Sequence, residues 1–233
     1  MKKDPYKTLS RYYDSFVEPS NKVLRKILYR LYPPEQGMHV LEVGCGTGTN
    51  LQIYHNAGCE IFGIDLSPSM LAQARDKLPG NSNLSVGDAS NMHYESDQFD
   101  IVIGMLTLHE MAGKIRTPVF AEMKRVVKSN GRILLVDFHP GPIEFPKGWI
   151  SKFVISFFEL TAGFTHFINY RSFLKAEGLQ TLIRSQNLII EKEKIVSGGN
   201  IALYVTKLPE YDIQLSSKNS DRIVTAHEMR NTP

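Results

Sequence analysis

The chain has 233 residues, 42% of them hydrophobic, enough for one large α/β domain with a sizeable core. Lysine and arginine together number 27 against 24 acidic residues. That net charge of +3, without a long block of like charge, is too mild to argue for nucleic acid as a partner. Two cysteines, Cys45 and Cys59, form no CxxC pair or disulfide framework, which fits a reducing cytoplasm.

Met1 to Tyr6 contain no apolar run, so no signal peptide is expected. Asn21 is the expected cap of a first helix. Val23, Leu24, Ile27, Leu28, Leu31 and Tyr32 lie at helical spacing on its inner face. Lys22, Arg25, Lys26 and Arg30 take the other face, and Pro33-Pro34 stops it. Residues 1–36 are thus an N-terminal helical arm. Tyr12-Tyr13-Asp14 within it either packs on the domain or closes over a site.

A strand over 38–43 then runs into Gly44-Cys45-Gly46-Thr47-Gly48 and a helix over 47–57 ended by Gly58. A second strand, 59–64, ends at Asp65. Ser67 caps a helix over 68–78 with Pro68 in its first turn. A short strand at 83–86 leads to Gly87-Asp88-Ala89. A fourth strand covers 99–104, a helix 114–128, and a fifth strand 132–138 after the turn Ser129-Asn130-Gly131. Five strands separated by helices imply right-handed parallel crossovers.

Beyond Asp137 prolines break the chain. Residues 147–161 read as a helix apolar over most of its surface, and 171–186 as another that Gly178 weakens. Residues 139–187 make a helical cap over the acceptor side. Leu188 to Val196, the turn Ser197-Gly198-Gly199-Asn200 and Ile201 to Thr206 form an antiparallel hairpin. One domain therefore spans 1–207. The tail 208–233 is polar and carries no sustained period, so it is expected to be disordered. The apolar stretch from Trp149 to Ile168 is interrupted by Lys152, Glu159, Thr161 and His166, short of a membrane span. It serves either as a core or lid helix, or as a lid that also receives an apolar acceptor or touches a membrane surface.

The glycine turn brings a ligand against bare backbone and a helix start. Its spacing is GxGxG; the sixth position of the dinucleotide fingerprint is Thr49, and no Gly-Lys-Ser/Thr follows for a P-loop. A nucleoside ligand without a dedicated pyrophosphate cradle fits best. Asp65 can accept both hydroxyls of a ribose. Asp88 with the Ala89 N–H can read an adenine edge. Glu42, inside an apolar strand, needs a partner such as a ligand amino group. Cys45 is a small packing residue within the turn.

Five blocks in order, Val40-Leu41-Glu42-Val43-Gly44-Cys45-Gly46-Thr47-Gly48, Gly63-Ile64-Asp65-Leu66-Ser67, Gly87-Asp88-Ala89, Phe99-Asp100-Ile101-Val102 and Asn130-Gly131-Arg132-Ile133-Leu134, resemble the class I S-adenosylmethionine-dependent methyltransferases. The resemblance implies a Rossmann-like, doubly wound seven-stranded sheet, mostly parallel with an antiparallel C-terminal hairpin. It implies S-adenosyl-L-methionine as cofactor, held by Tyr13, Glu42, Gly44, Cys45, Gly46, Gly48, Asp65, Leu66, Met70, Asp88, Ala89 and Met105. Tyr12-Tyr13-Asp14 and Ser197 to Leu203 are further similar to the ubiquinone/menaquinone-type methyltransferases, whereas 140–187 depart from them.

In-line displacement needs a base only where the acceptor must lose a proton. Candidates are His109 and Glu110 after the fourth strand, His139 after the fifth, and His166. His109 and His139 are the catalytic pair of choice because both leave carboxyl ends of core strands. Tyr12, Tyr13 and Tyr170 are candidates to touch the sulfonium or shape the pocket. Without HExxH or a Cys/His cluster no metal is expected. The expected partner is a small, lipophilic methyl acceptor such as a quinol precursor, with a phospholipid amine or another O or N acceptor as the alternative. No nucleic acid and no stable membrane insertion are expected, peripheral contact with a membrane stays open, and the chain is a monomer or homodimer in the cytoplasm. A catalytically silent partner subunit and a nicotinamide oxidoreductase are the competing classes.

Overall fold

The computed structural model describes residues 10–161 and 163–209, with side chains from Asn21 onward. Seven strands form one sheet. They are β1 (His39–Val43), β2 (Glu60–Asp65), β3 (Asn83–Val86), β4 (Phe99–Met105), β5 (Val127–Phe138), β6 (Ile189–Val196) and β7 (Ile201–Lys207). Their order is β3-β2-β1-β4-β5-β7-β6. The first five are parallel and β7 runs antiparallel between β5 and β6. The sheet is the expected Rossmann-like one, hairpin included.

The helices follow the sequence punctuation in most places. They are α1 (Ser10–Leu31), α2 (Thr49–Asn56), α3 (Pro68–Lys77), α4 (Gly113–Val126), α5 (Lys147–Thr161), α6 (Phe164–Lys175) and α7 (Gly178–Ser185). Ser67 caps α3 as expected, its Oγ accepting the Met70 N–H at 3.1 Å. Four expectations change. Helix α1 runs straight through Asn21, which is buried in it and caps nothing. On its face Val23 points to solvent while Arg25 is buried, the reverse of the assignment by polarity. Residues 171–186 are not one helix: Glu177 and Gly178 both take positive φ, 60° and 67°, and divide α6 from α7. Strand β5 begins already at Val127. Its pairing with β4 jumps from Phe99–Val127 to Ile101–Arg132, so the turn at 129–131 is absorbed as an irregularity.

Burial explains the strand compositions. Val40, Leu41, Val43, Ile101 to Ile103 and Ile133 to Val136 are buried, as strands covered on both faces require. Edge strand β6 carries Glu191-Lys192-Glu193-Lys194, and its exposed charges blunt the open edge. The order reverses between β1 and β4, so the crevice at the carboxyl ends of β1, β2, β4 and β5 is where a ligand belongs. Tyr12-Tyr13-Asp14 lie on α1, and their expected closure over a site concerns side chains outside those described; most of the tail lies outside the described residues.

Candidate active site

One half of the site is backbone. Gly44, Gly46 and Gly48 all have positive φ, at 68°, 54° and 73°. A Cβ at Gly44 would sit 2.2 Å from Thr107 Oγ1, so the turn is closed from above by the segment after β4. Nothing lies within 4 Å of a Cβ built on Gly46, so that glycine faces open space. Asp65 ends β2 and accepts the Gly46 N–H at 2.9 Å and the Ser67 N–H at 2.8 Å. A carboxylate oxygen can accept more than one hydrogen bond, which is what ribose hydroxyls need. Leu66 beside it is 71% exposed, an apolar surface ready for a planar base. Asp88 is exposed and accepts from the Ser90 N–H and hydroxyl, and Ala89 is buried next to it. Met105 ends β4 and is buried.

Two residues of the expected set behave differently. Met70 is 4% exposed, so it backs the crevice and offers little surface to a base. Cys45 is buried, and its Sγ fills the space where a Cβ at Gly63 would come within 2.7 Å. Burial first, and then the Asp65 and Glu42 carboxyls, push its thiol pKa up, so it packs and does not react. Tyr13 lies among the residues whose side chains are not described.

Glu42 fits the reading of a buried acid that needs a ligand. Its Oε1 accepts from Asn50 Nδ2 at 3.0 Å, while Oε2 is buried without a partner. Burial raises its pKa to about 8, against the opposing Asn50 hydrogen bond and the Arg25 charge. An ammonium group would complete the set of partners. The open Gly46, Asp65, Leu66 and the orphaned Glu42 oxygen together suit a nucleoside amino acid.

The other half is a network of side chains. Asp137 is fully buried at the end of β5. It accepts the Leu108 and His109 N–H groups at 3.0 and 3.2 Å, the Phe138 N–H at 2.8 Å, and His109 Nδ1 at 2.7 Å. That fixes the His109 tautomer and turns Nε2 toward Glu159, with Oε1 at 3.6 Å. Glu159, from α5, also holds His166 Nδ1 at 2.8 Å, and His166 Nε2 meets Glu110 at 3.1 Å. Burial alone would pull the His109 pKa down; the Asp137 charge and hydrogen bond, with Glu110 and Glu159, outweigh it and hold it above the ordinary value. The same contest lifts His166 to about 10, its burial overcome by Glu110 and Glu159.

The cap is fastened to this network. Arg116 of α4 donates to the carbonyls of Leu108 and Asn169, and Asn169 Nδ2 reaches the Glu110 carbonyl. Tyr170 is buried and packs edge-on against Phe138 at 4.9 Å. His139 stands apart from the other histidines. Its Nδ1 lies 3.0 Å from the Gly199 carbonyl, tying the end of β5 to the hairpin turn.

Asp137, Glu159 and Thr107 escaped sequence reasoning. Asp137 did carry a signal, a lone carboxylate closing the apolar run Ile133 to Val136, of the same kind that singled out Glu42. Nothing in the sequence aims Glu159 at His109. Donor atoms of His109, Glu159 and His166 lie within 4.8 Å of one another, a metal-type set that the sequence reading did not foresee. In this structure it is held by its own hydrogen bonds.

Residues 41–135 match the family model described as a methyltransferase domain. Over those residues the chain is similar to a methyltransferase domain, and the solved structures that share its fold include S-adenosylmethionine-dependent methyltransferases. It is 33% identical over 138 residues to phosphatidylethanolamine N-methyltransferase of Cereibacter sphaeroides, covering 52% of this chain and 66% of that protein. It is 32% identical over 108 residues to demethylmenaquinone methyltransferase of Renibacterium salmoninarum, covering 45% and 43%. Among solved structures, phosphoethanolamine N-methyltransferase 2 of Haemonchus contortus, in complex with S-adenosyl-L-methionine, superposes with a TM-score of 0.59 at 16% identity, covering 82% of this chain and 53% of that one. The chain thus spans less than two thirds of the length of these relatives. Within the methyltransferase domain, the matched stretch holds the glycine turn, Asp65, Asp88 and His109 but stops short of Asp137 and the cap.

Proposed function

We propose that this protein transfers a methyl group from S-adenosyl-L-methionine to a small lipophilic acceptor bearing an ionisable hydrogen, a quinol precursor first among them. The observation that carries the reading is His109, held by Asp137 on one ring nitrogen and directed at the cap by the other. Glu42 and the open glycine turn hold the amino-acid part of the cofactor, and Asp65, Leu66, Asp88 and Ala89 the nucleoside. Bound there, the cofactor supplies an electrophilic methyl on a sulfonium that leaves as a neutral thioether. The acceptor atom gives its lone pair to that carbon and loses its proton to His109 Nε2. Asp137 keeps the imidazole in the tautomer that can take it. The cap excludes water and orients the acceptor.

A lipid amine is the second reading. Three carboxylates, Asp137, Glu159 and Glu110, surround two histidines, an excess of negative charge that suits an ammonium group awaiting deprotonation. The relative from Cereibacter sphaeroides supports it. A silent subunit has no use for a complete histidine–carboxylate pair.

Calorimetric titration tests the donor: S-adenosylhomocysteine should bind and NADH should not, and tighter NADH binding overturns the reading. Transfer of a labelled methyl into a lipid and metabolite extract tests the acceptor. Label found solely in protein or RNA sinks the small-molecule assignment.

A further inference from the structure

Helix α5 is built inside out. Its inward side carries Gly148, Ser151, Ile155, Ser156 and Glu159, more polar than a core-facing stripe should be. Its outward side carries Trp149, Ile150, Phe153, Val154, Phe157 and Phe158, each between 45% and 75% exposed. Next to it Phe164 of α6 is 73% exposed and Ile168 is 49% exposed. A patch of this kind exceeds the scattered apolar residues of an ordinary surface.

The helix cannot roll to hide that face, because both of its ends are pinned on the inner side. At the start, Asn200 Nδ2 donates to the Gly148 carbonyl at 2.7 Å, and a Cβ on Gly148 would strike the Gly198 backbone at 2.2 Å. At the end, Glu159 is held by His166 and faces His109. The charges are equally one-sided. Lys147 and Lys152 lie on α5, Arg171 and Lys175 on α6, and Glu159, turned inward, is the sole acid in the two helices. Lys152 lies over the Trp149 ring at 5.9 Å and Arg171 over Phe167 at 6.0 Å, so the cations rim the aromatic surface. Glu144, in the loop before α5, is the nearest acid in the chain on the N-terminal side. No described helix is long and apolar enough to cross a membrane.

We propose that the outer face of α5, with Phe164 and Ile168 of α6, docks on the surface of an anionic phospholipid bilayer. Aromatic and aliphatic side chains enter the headgroup and upper acyl region while the lysines and Arg171 meet lipid phosphates. Docking rests on this surface alone. Only its consequence, that a lipophilic acceptor reaches the site beneath α5 from the bilayer, rests on the methyl-transfer reading.

Trp149 is the chain's one tryptophan, so its fluorescence reports on this face directly. The full-length protein is titrated with phosphatidylglycerol vesicles and with phosphatidylcholine vesicles, with flotation as a second readout. A blue shift and co-flotation with the anionic vesicles are expected. Phe153→Ser and Phe157→Ser should each weaken partitioning about tenfold. Lys147→Glu and Lys152→Glu should each weaken it about fivefold, and added salt should mimic them. Emission that stays unchanged with anionic vesicles overturns the proposal. So does emission already blue in their absence, whether a second copy or another part of the chain covers the face. Vesicle binding needs no methyl transfer, so a protein that docks but transfers nothing refutes the function and leaves the docking intact.

Discussion

The two sides of the crevice are made of different material. On the donor side the chain withholds side chains: three glycines with positive φ, one of them facing open space, and a buried carboxylate with one oxygen unmet. On the acceptor side the chain supplies more side chains than a simple pocket needs. Two histidines and three carboxylates satisfy one another before any ligand arrives. The donor side is therefore complete only with its ligand, whereas the acceptor side is a standing electrostatic arrangement. Disruption should show up as lost affinity on the first side and as lost rate on the second.

The sharpest break in that contrast comes from His109→Gln. The turnover rate should fall by on the order of 10²- to 10⁴-fold, the usual weight of a positioned base. S-adenosylhomocysteine affinity should hold, because His109 belongs to the other side. Single-turnover transfer of labelled methyl, set beside calorimetry, checks both halves. An unchanged rate removes His109 from the chemistry.

The glycines divide next. Gly44→Ala forces a Cβ into Thr107 at 2.2 Å and strains φ, so it should lower stability by about 2–4 kcal/mol. Gly46→Ala meets no atom within 4 Å and should lower stability by only about 1 kcal/mol, the strain of a left-handed alanine. Its S-adenosylhomocysteine binding should nonetheless collapse. Denaturant melts and titration of both variants separate fold from site; a Gly46→Ala protein that binds normally places the cofactor elsewhere.

Glu42→Gln should weaken S-adenosylhomocysteine by about 1–3 kcal/mol, the range for a charged hydrogen bond. In the ligand-free protein the sign reverses. A carboxyl raised to about 8 in the fold destabilises it as pH climbs above the ordinary carboxylate value, since the unfolded chain ionises first. Near pH 8 the ligand-free variant should therefore melt higher than the wild type. A lower melt would mean that Glu42 holds the fold together.

The same division governs what the sequence disclosed. The sheet, its hairpin and the glycine turn were legible because strand burial, GxGxG spacing and Asp65 are local patterns. The polar–apolar reading of α1 failed at Arg25, which is buried and whose charge acts on Glu42 of β1, a relation across the fold that periodicity cannot carry. The split of 171–186 depended on Glu177 taking a left-handed conformation that its residue type disfavours. His109 was visible from its place after β4. Its partners were not, because Asp137 and Glu159 reach it from β5 and α5, and only the fold joins them.

The smallest effect probes the acceptor network as a source of stability. His166 carries a pKa of about 10 against an unfolded value near 6.5, so its contribution is fully present below about 6.5. It disappears as pH rises through about 10, because the neutral ring can donate to only one of Glu159 and Glu110. For this partly exposed group the loss should be about 1–2 kcal/mol. His109, also raised, titrates in the same direction and adds to the slope. Melting followed from pH 6 to pH 10 should fall in the wild type and fall less steeply in His166→Gln. Since Glu159 is one of the two anchors of α5, the alkaline loss should also free Trp149, whose emission would change with the melt. A stability that rises over that window would mean that the histidines are held neutral, and that the carboxylates around them serve something other than a proton.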